Sequence, residues 1–147
     1  MVISIDDFLE PEDLIKYRNY ALRSGLTQKI KEDHDLTTEF WNKYGDKLKQ
    51  NLKDISTVSG LYPYVTITNS NNPLIKHIDS KLKNEKFKIL IYLNNVHNGG
   101  TVFYTEKTSI SIMNKENRLV VFDINIPHES QKFCTNDKKI AIGFRLK

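Results

Sequence analysis

At 147 residues, 39% hydrophobic and 27% charged, the chain can bury a core of its own and is too apolar for a disordered tail. Its net charge of +4 comes mostly from dispersed lysines such as Lys81, Lys83, Lys86 and Lys88, which reads as a solvated strand edge rather than a nucleic-acid footprint. No apolar run reaches the roughly 20 residues of a membrane helix, "MVISIDDFLEPEDL" lacks a signal-peptide pattern, and a lone cysteine, Cys134, suits a reducing, cytoplasmic setting.

In chain order, "VISI" (2–5) predicts a short strand. "EPEDLIKYRNYALRSG" predicts a helix, with Pro11 in the first turn, Glu12 and Asp13 at the positive end of the dipole, and Gly25 as the stop. Leu14, Tyr17, Ala21 and Leu22 supply its apolar stripe. After a polar loop holding His34, "TTEFWNKYGDKLKQNLKD" predicts a second helix capped by Thr37 or Thr38, with Phe40, Tyr44 and Leu48 four apart. Gly45 inside it costs about 1 kcal/mol against alanine.

From residue 58 the apolar period becomes two. Strands are predicted over 60–68, 74–79, 86–94, 101–105, 109–112, 118–123, 125–130 and 138–146, jointed by Gly, Asn and Pro in "TNSNNP", "NNVHNGG", "NKEN" and "CTND". No repeat or linker interrupts the run. The pattern predicts one mainly β domain, a sandwich or barrel (56–147) braced by two N-terminal helices (1–55).

The candidate chemistry lies in "LIKHIDS" (74–80). Residues two apart on a strand face the same side, so His77 and Asp79 reach one cavity, with about 7 Å of backbone between them. Such a pair is also what a satisfied core histidine beside a turn aspartate looks like. A third ligand decides between the two. His34 sits in a polar loop and His97 in the turn "NNVHNGG", so both read as solvated. His128 closes the apolar run "NRLVVFDINIPHES". Two imidazoles and a carboxylate on one side of a metal leave up to three positions open, the donor set of non-heme Fe(II) oxygenases.

Further segments follow in a consistent order: "KILIYLNNVHNGGTVFY" (88–104), "NRLVVFDINIPHES" (117–130) and "KKIAIGFRLK" (138–147). With the "HID" motif and the opening "IDDFLEPEDLIKYRNYAL", they make the chain resemble, over nearly its whole length, compact prolyl-hydroxylase-like members of the 2-oxoglutarate- and Fe(II)-dependent dioxygenase superfamily. The resemblance implies a double-stranded β-helix, a cupin-like jelly roll. It also implies iron on His77, Asp79 and His128, 2-oxoglutarate as cosubstrate, and O2 as the oxidant.

The family's basic residue on the last strand, which binds the distal carboxylate of 2-oxoglutarate, must be Lys138, Lys139 or Arg145. Lys139, Ala141, Gly143 and Arg145 share one strand face, so Lys139 projects over small residues and is chosen. Arg145, six residues on, resembles the second cation of the superfamily's nucleic-acid demethylases, or else makes a plain ion pair. Tyr92 matches a family tyrosine that hydrogen-bonds the distal carboxylate. Thr101 and Phe103 are expected to line the pocket after the turn at Gly99 and Gly100.

The chain departs from the pattern at Ile67, where relatives often carry a tyrosine. Tyr62 or Tyr64 stands nearby. Asp79 is present where halogenating relatives lack a carboxylate, which implies hydroxylation. A peptide or protein side chain is the expected substrate, recognised by the loops 26–37 and 68–74. A modified nucleobase or small metabolite, a cupin-like barrel that binds without turnover, and a plain β-sandwich interaction module are the alternatives. Nucleic acid is possible but not favoured, and no membrane partner is expected.

Overall fold

Two helices and eight strands follow one another in a computed structural model that describes residues 1–23, 34–53, 55, 64–68, 75–79, 84–131 and 138–147. After β1 (Val2–Ile5) come α1 (Pro11–Arg23) and α2 (His34–Asn51). The remaining strands are β2 (Tyr64–Thr68), β3 (Phe87–Tyr92), β4 (Thr101–Tyr104), β5 (Ser109–Ile112), β6 (Leu119–Asp123), β7 (His128–Ser130) and β8 (Lys139–Leu146). They form a five-stranded sheet in the order β1-β6-β3-β8-β2 and a three-stranded sheet in the order β5-β4-β7. Every strand pairing is antiparallel. Among the described residues no helix is long and apolar enough to cross a membrane.

The large sheet is two-faced because its strands alternate. The register sets Ile89 opposite Phe144 and Val121, and Ile91 opposite Ile142 and Leu119. These side chains are all buried in one core with Tyr17 and Ala21 of α1 and with Phe40, Tyr44 and Leu48 of α2. The ring of Phe40 stacks on Phe144 at 4.2 Å between centroids, which ties α2 to the middle of β8. The same register sets Lys88 opposite Arg145, and Tyr92 opposite Ala141, on the other face. There Tyr92, Val120, Phe122 and Ala141 meet Phe103 of the small sheet in a second, smaller core.

Several expectations shift. The stripe of α1 is buried at Leu14, Tyr17 and Ala21, whereas Leu22 points outward. Helix α2 starts at His34, ahead of the expected Thr37 or Thr38 cap, with Asp35 in the first turn against the dipole. Gly45 packs closely under a neighbour: a Cβ there would lie 3.0 Å from the Trp41 ring, which would have to give way. Residues 75–79 form no strand beyond a single antiparallel bridge between His77 and His128. The carbonyl of Ile75 faces the His77 ring instead of a neighbouring strand. The run expected over 125–130 begins with a turn and becomes strand only at His128. Gly25, Tyr62, Lys81, Lys83 and Cys134, with most of the two expected recognition loops, lie outside the described residues.

Candidate metal centre

His77 and His128 come together through their backbones. Each amide donates to the other's carbonyl at 3.0 Å, so two residues far apart in sequence form one antiparallel pair whose rings lie 4.4 Å apart. Each ring is then oriented locally: His77 Nδ1 lies 2.7 Å from the Ile75 carbonyl and His128 Nδ1 3.0 Å from that of Ile126. A carbonyl only accepts, so Nδ1 carries a proton, and in the neutral form of either ring the lone pair is on Nε2. Both Nε2 atoms face Asp79, His77 at 3.4 Å from Oδ1 and His128 at 3.5 Å from Oδ2. One ligand atom from each of the three residues lies within 4.8 Å of the others.

The electrostatics suit a cation. Burial pushes the Asp79 carboxyl up, but Lys88, His128 and His77 outweigh it and hold the group below the usual carboxylate value. Burial lowers the His128 imidazole against the opposing pull of the Ile126 carbonyl and Asp79, favouring the neutral ring that a metal needs. Phe122 and Phe103 wall the ring at 4.8 and 5.9 Å. Two imidazoles and a carboxylate, with each imidazole held through its Nδ1, fit a divalent transition metal.

Lys139 lies at the other end of the same sheet face and is 4% exposed. Its ammonium donates to the Gly100 carbonyl at 3.1 Å and the Ser130 hydroxyl at 3.2 Å, and stands 3.5 Å from Thr101 Oγ1. These partners are all neutral, so burial alone pulls the lysine down to about 7. The Tyr92 hydroxyl meets Thr101 Oγ1 at 2.6 Å, and the Tyr92 ring centre lies 5.2 Å from the ammonium. Burial raises the Tyr92 phenol to about 12, with the Thr101 hydroxyl opposing, so the phenol stays a neutral donor. Gly100 shapes this corner: a Cβ there would lie 2.2 Å from the Ile112 carbonyl oxygen. A buried ammonium beside two hydroxyls fits the carboxylate of an acid such as 2-oxoglutarate.

The structure thus gathers His77, Asp79 and His128 at one point and Lys139, Tyr92 and Thr101 at another. Arg145 stands apart from the lysine corner, with Glu85 at 3.2 Å. His97 is exposed in its turn. Two residues escaped the sequence reading. Ser130 is two positions after His128, so period two alone would have found it. Lys88, expected on a solvated edge, is 8% exposed and donates to Asp79 Oδ2 at 2.7 Å. The correction has a simple cause: Lys88 is in phase with Leu90 and Tyr92, and the sheet turns all three the same way.

No protein-family model matches the chain, and neither does any curated protein. Solved structures do. The viral collagen prolyl hydroxylase of Paramecium Bursaria Chlorella virus-1 is 18% identical, with 99% of this chain and 89% of that one covered at a TM-score of 0.73. A prolyl hydroxylase from Trichoplax adhaerens, in complex with a hypoxia inducible factor peptide, is 18% identical over 99% and 82% at 0.70. HygX from Streptomyces hygroscopicus, with nickel and 2-oxoglutarate bound, is 11% identical over 99% and 81% at 0.74, and has also been solved with hygromycin B. The chain therefore has the fold of the prolyl-hydroxylase-like 2-oxoglutarate oxygenases. At these identities the likeness concerns architecture.

Proposed function

We propose that this chain is an Fe(II)- and 2-oxoglutarate-dependent dioxygenase that hydroxylates a peptide or protein side chain. The convergence of His77, Asp79 and His128 within 4.8 Å carries the reading, and the fold shared with prolyl hydroxylases supports it. In this reading the chain is one domain, and its two sheets are the facing walls of a double-stranded β-helix. Iron with 2-oxoglutarate and O2 supplies oxidative decarboxylation to succinate and CO2, coupled to insertion of one oxygen atom into a C–H bond.

The chain's own residues do the rest. His77, Asp79 and His128 would hold the metal on one side and leave the other side open. Lys139 receives the distal carboxylate, so a charge that is costly to bury alone meets a counter-charge already in place. Tyr92 and Thr101 add neutral donors beside it, while Phe103 and Phe122 shield the His128 imidazole. The Trichoplax adhaerens neighbour was solved with a peptide, which favours a peptide substrate. The HygX complex with hygromycin B supports a second reading, the same chemistry on a small molecule. The test is succinate formation from 2-oxoglutarate under O2. Uncoupled turnover is expected only with Fe(II), and a protein that binds the metal and 2-oxoglutarate but never forms succinate contradicts the assignment.

A further inference from the structure

We infer that Lys88 is a positioning residue of the metal centre: it holds Asp79 Oδ2, so that a divalent cation is taken through Asp79 Oδ1 alone and against the ammonium's own charge. The inference rests on the metal reading above. Lys88 cannot turn away, since β3 fixes its side chain in phase with Leu90 and Tyr92 and its cross-strand neighbour on β8 is Arg145. Arg145 is engaged by Glu85 at 3.2 Å, while Lys88 reaches Asp79 at 2.7 Å. The two oxygens of Asp79 are therefore unequal. Oδ1 faces His77 Nε2, whereas Oδ2 faces His128 Nε2 and also carries the ammonium. An ammonium has three donors and no lone pair, so it cannot become a ligand while charged.

Two effects of Lys88 on metal binding have opposite signs. By orienting the carboxylate it aids binding, and outer-shell partners of this kind are typically worth about 10–100-fold. By adding positive charge beside a dication it opposes binding, and this repulsion is weakly screened where water is excluded. Charge prevails here because the geometry has other support. The two imidazoles are fixed by the backbone pair of His77 and His128 and by the carbonyls of Ile75 and Ile126. Asp79, two residues from His77, also has a ring nitrogen beside each oxygen, His77 Nε2 at 3.4 Å and His128 Nε2 at 3.5 Å.

The experiment is calorimetric titration of the folded protein with Mn(II) and with Co(II), alongside the visible spectrum of the Co(II) form. Lys88→Met is expected to bind both ions at least about tenfold more tightly, and its Co(II) bands should weaken as Asp79 gains freedom to bind through both oxygens. Lys88→Arg should stay within about threefold of the wild type because its charge is retained. Lys88→Gln, neutral but still a donor, should match the tightening of the methionine variant and serves if that variant fails to fold. Wild-type binding with unchanged or weaker binding in the neutral variants overturns the inference and leaves the metal reading standing. Wild-type protein that binds neither ion removes both.

Discussion

On its helix side, the five-stranded sheet presents Ile89, Ile91, Val121, Ile142, Phe144 and Leu146 to the two helices, all buried in a single apolar core. On its other side, the same strands present Lys88, Tyr92, Lys139 and Arg145 among a few apolar residues. Both faces exclude water, but they do so to opposite ends. The first gains from every methylene it hides. The second holds cations that burial penalises: it lowers both Lys88 and Lys139, and only for Lys88 does the nearby Asp79 push back. A strand that alternates can thus place its stability on one side and its chemistry on the other, and the stable side tolerates the cost of the reactive one.

The sharpest way to break this contrast is at the metal. Asp79→Ala should abolish Fe(II)-dependent succinate formation while the helix-side core stays folded; near wild-type succinate release would sink the centre as drawn. Phe40→Ala attacks the opposite face. It removes the ring stacked on Phe144 and should lower unfolding stability by about 3–5 kcal/mol in urea titration. Metal affinity, measured where the protein remains folded, should be unchanged, and a large loss would show that the faces are not separable.

Lys139→Met sharpens the comparison from the chemical side. It should raise the Km for 2-oxoglutarate roughly a hundredfold by removing the counter-charge, with Mn(II) binding retained. Its stability should not fall, because a buried cation has been replaced by an apolar chain of similar length. If Lys138→Ala gave the Km effect instead, the orientation of β8 in the site would be wrong.

The smallest effect is a pH dependence with two signs. Because Lys139 is drawn down to about 7, the unfolded chain binds this proton more tightly. Its contribution to folding stability therefore rises between about pH 7 and the ordinary lysine value of 10.5. If Lys139 receives 2-oxoglutarate as proposed, binding needs the charged form, and affinity should fall above pH 7 by up to about tenfold per unit. Lys139→Arg should flatten that profile. A flat profile in the wild type would remove Lys139 from the binding site.

Much of this was legible in the residues, and the exceptions are instructive. The period-two runs mark most of the strands, and Phe40, Tyr44 and Leu48 mark the buried face of α2. The placement of His77 was legible for a reason that proved incomplete: a single backbone bridge to His128, not a strand, holds it. Lys88 was hidden by composition, since "KLKNEKFK" looks like a solvated run unless each lysine is given a phase. That Arg145 makes a plain ion pair was one of the two readings, but its partner was not legible, because Glu85 lies 60 residues earlier and no local pattern joins them. The start of α2 at His34 was missed although Leu36, four residues before Phe40, extends the same buried stripe into the first turn; Thr37 and Thr38 look like caps and drew the boundary too late.

The mutual amide–carbonyl pair of His77 and His128 has a consequence for how the centre can fail. In the proposed centre, two ligands hung from one backbone rung cannot drift apart by degrees. When the rung opens, both imidazoles lose their aim in the same event. Loss of the ion should therefore be governed by rare unzipping of the segment from β7 rather than by ordinary side-chain motion, which makes residence time a property of the main chain.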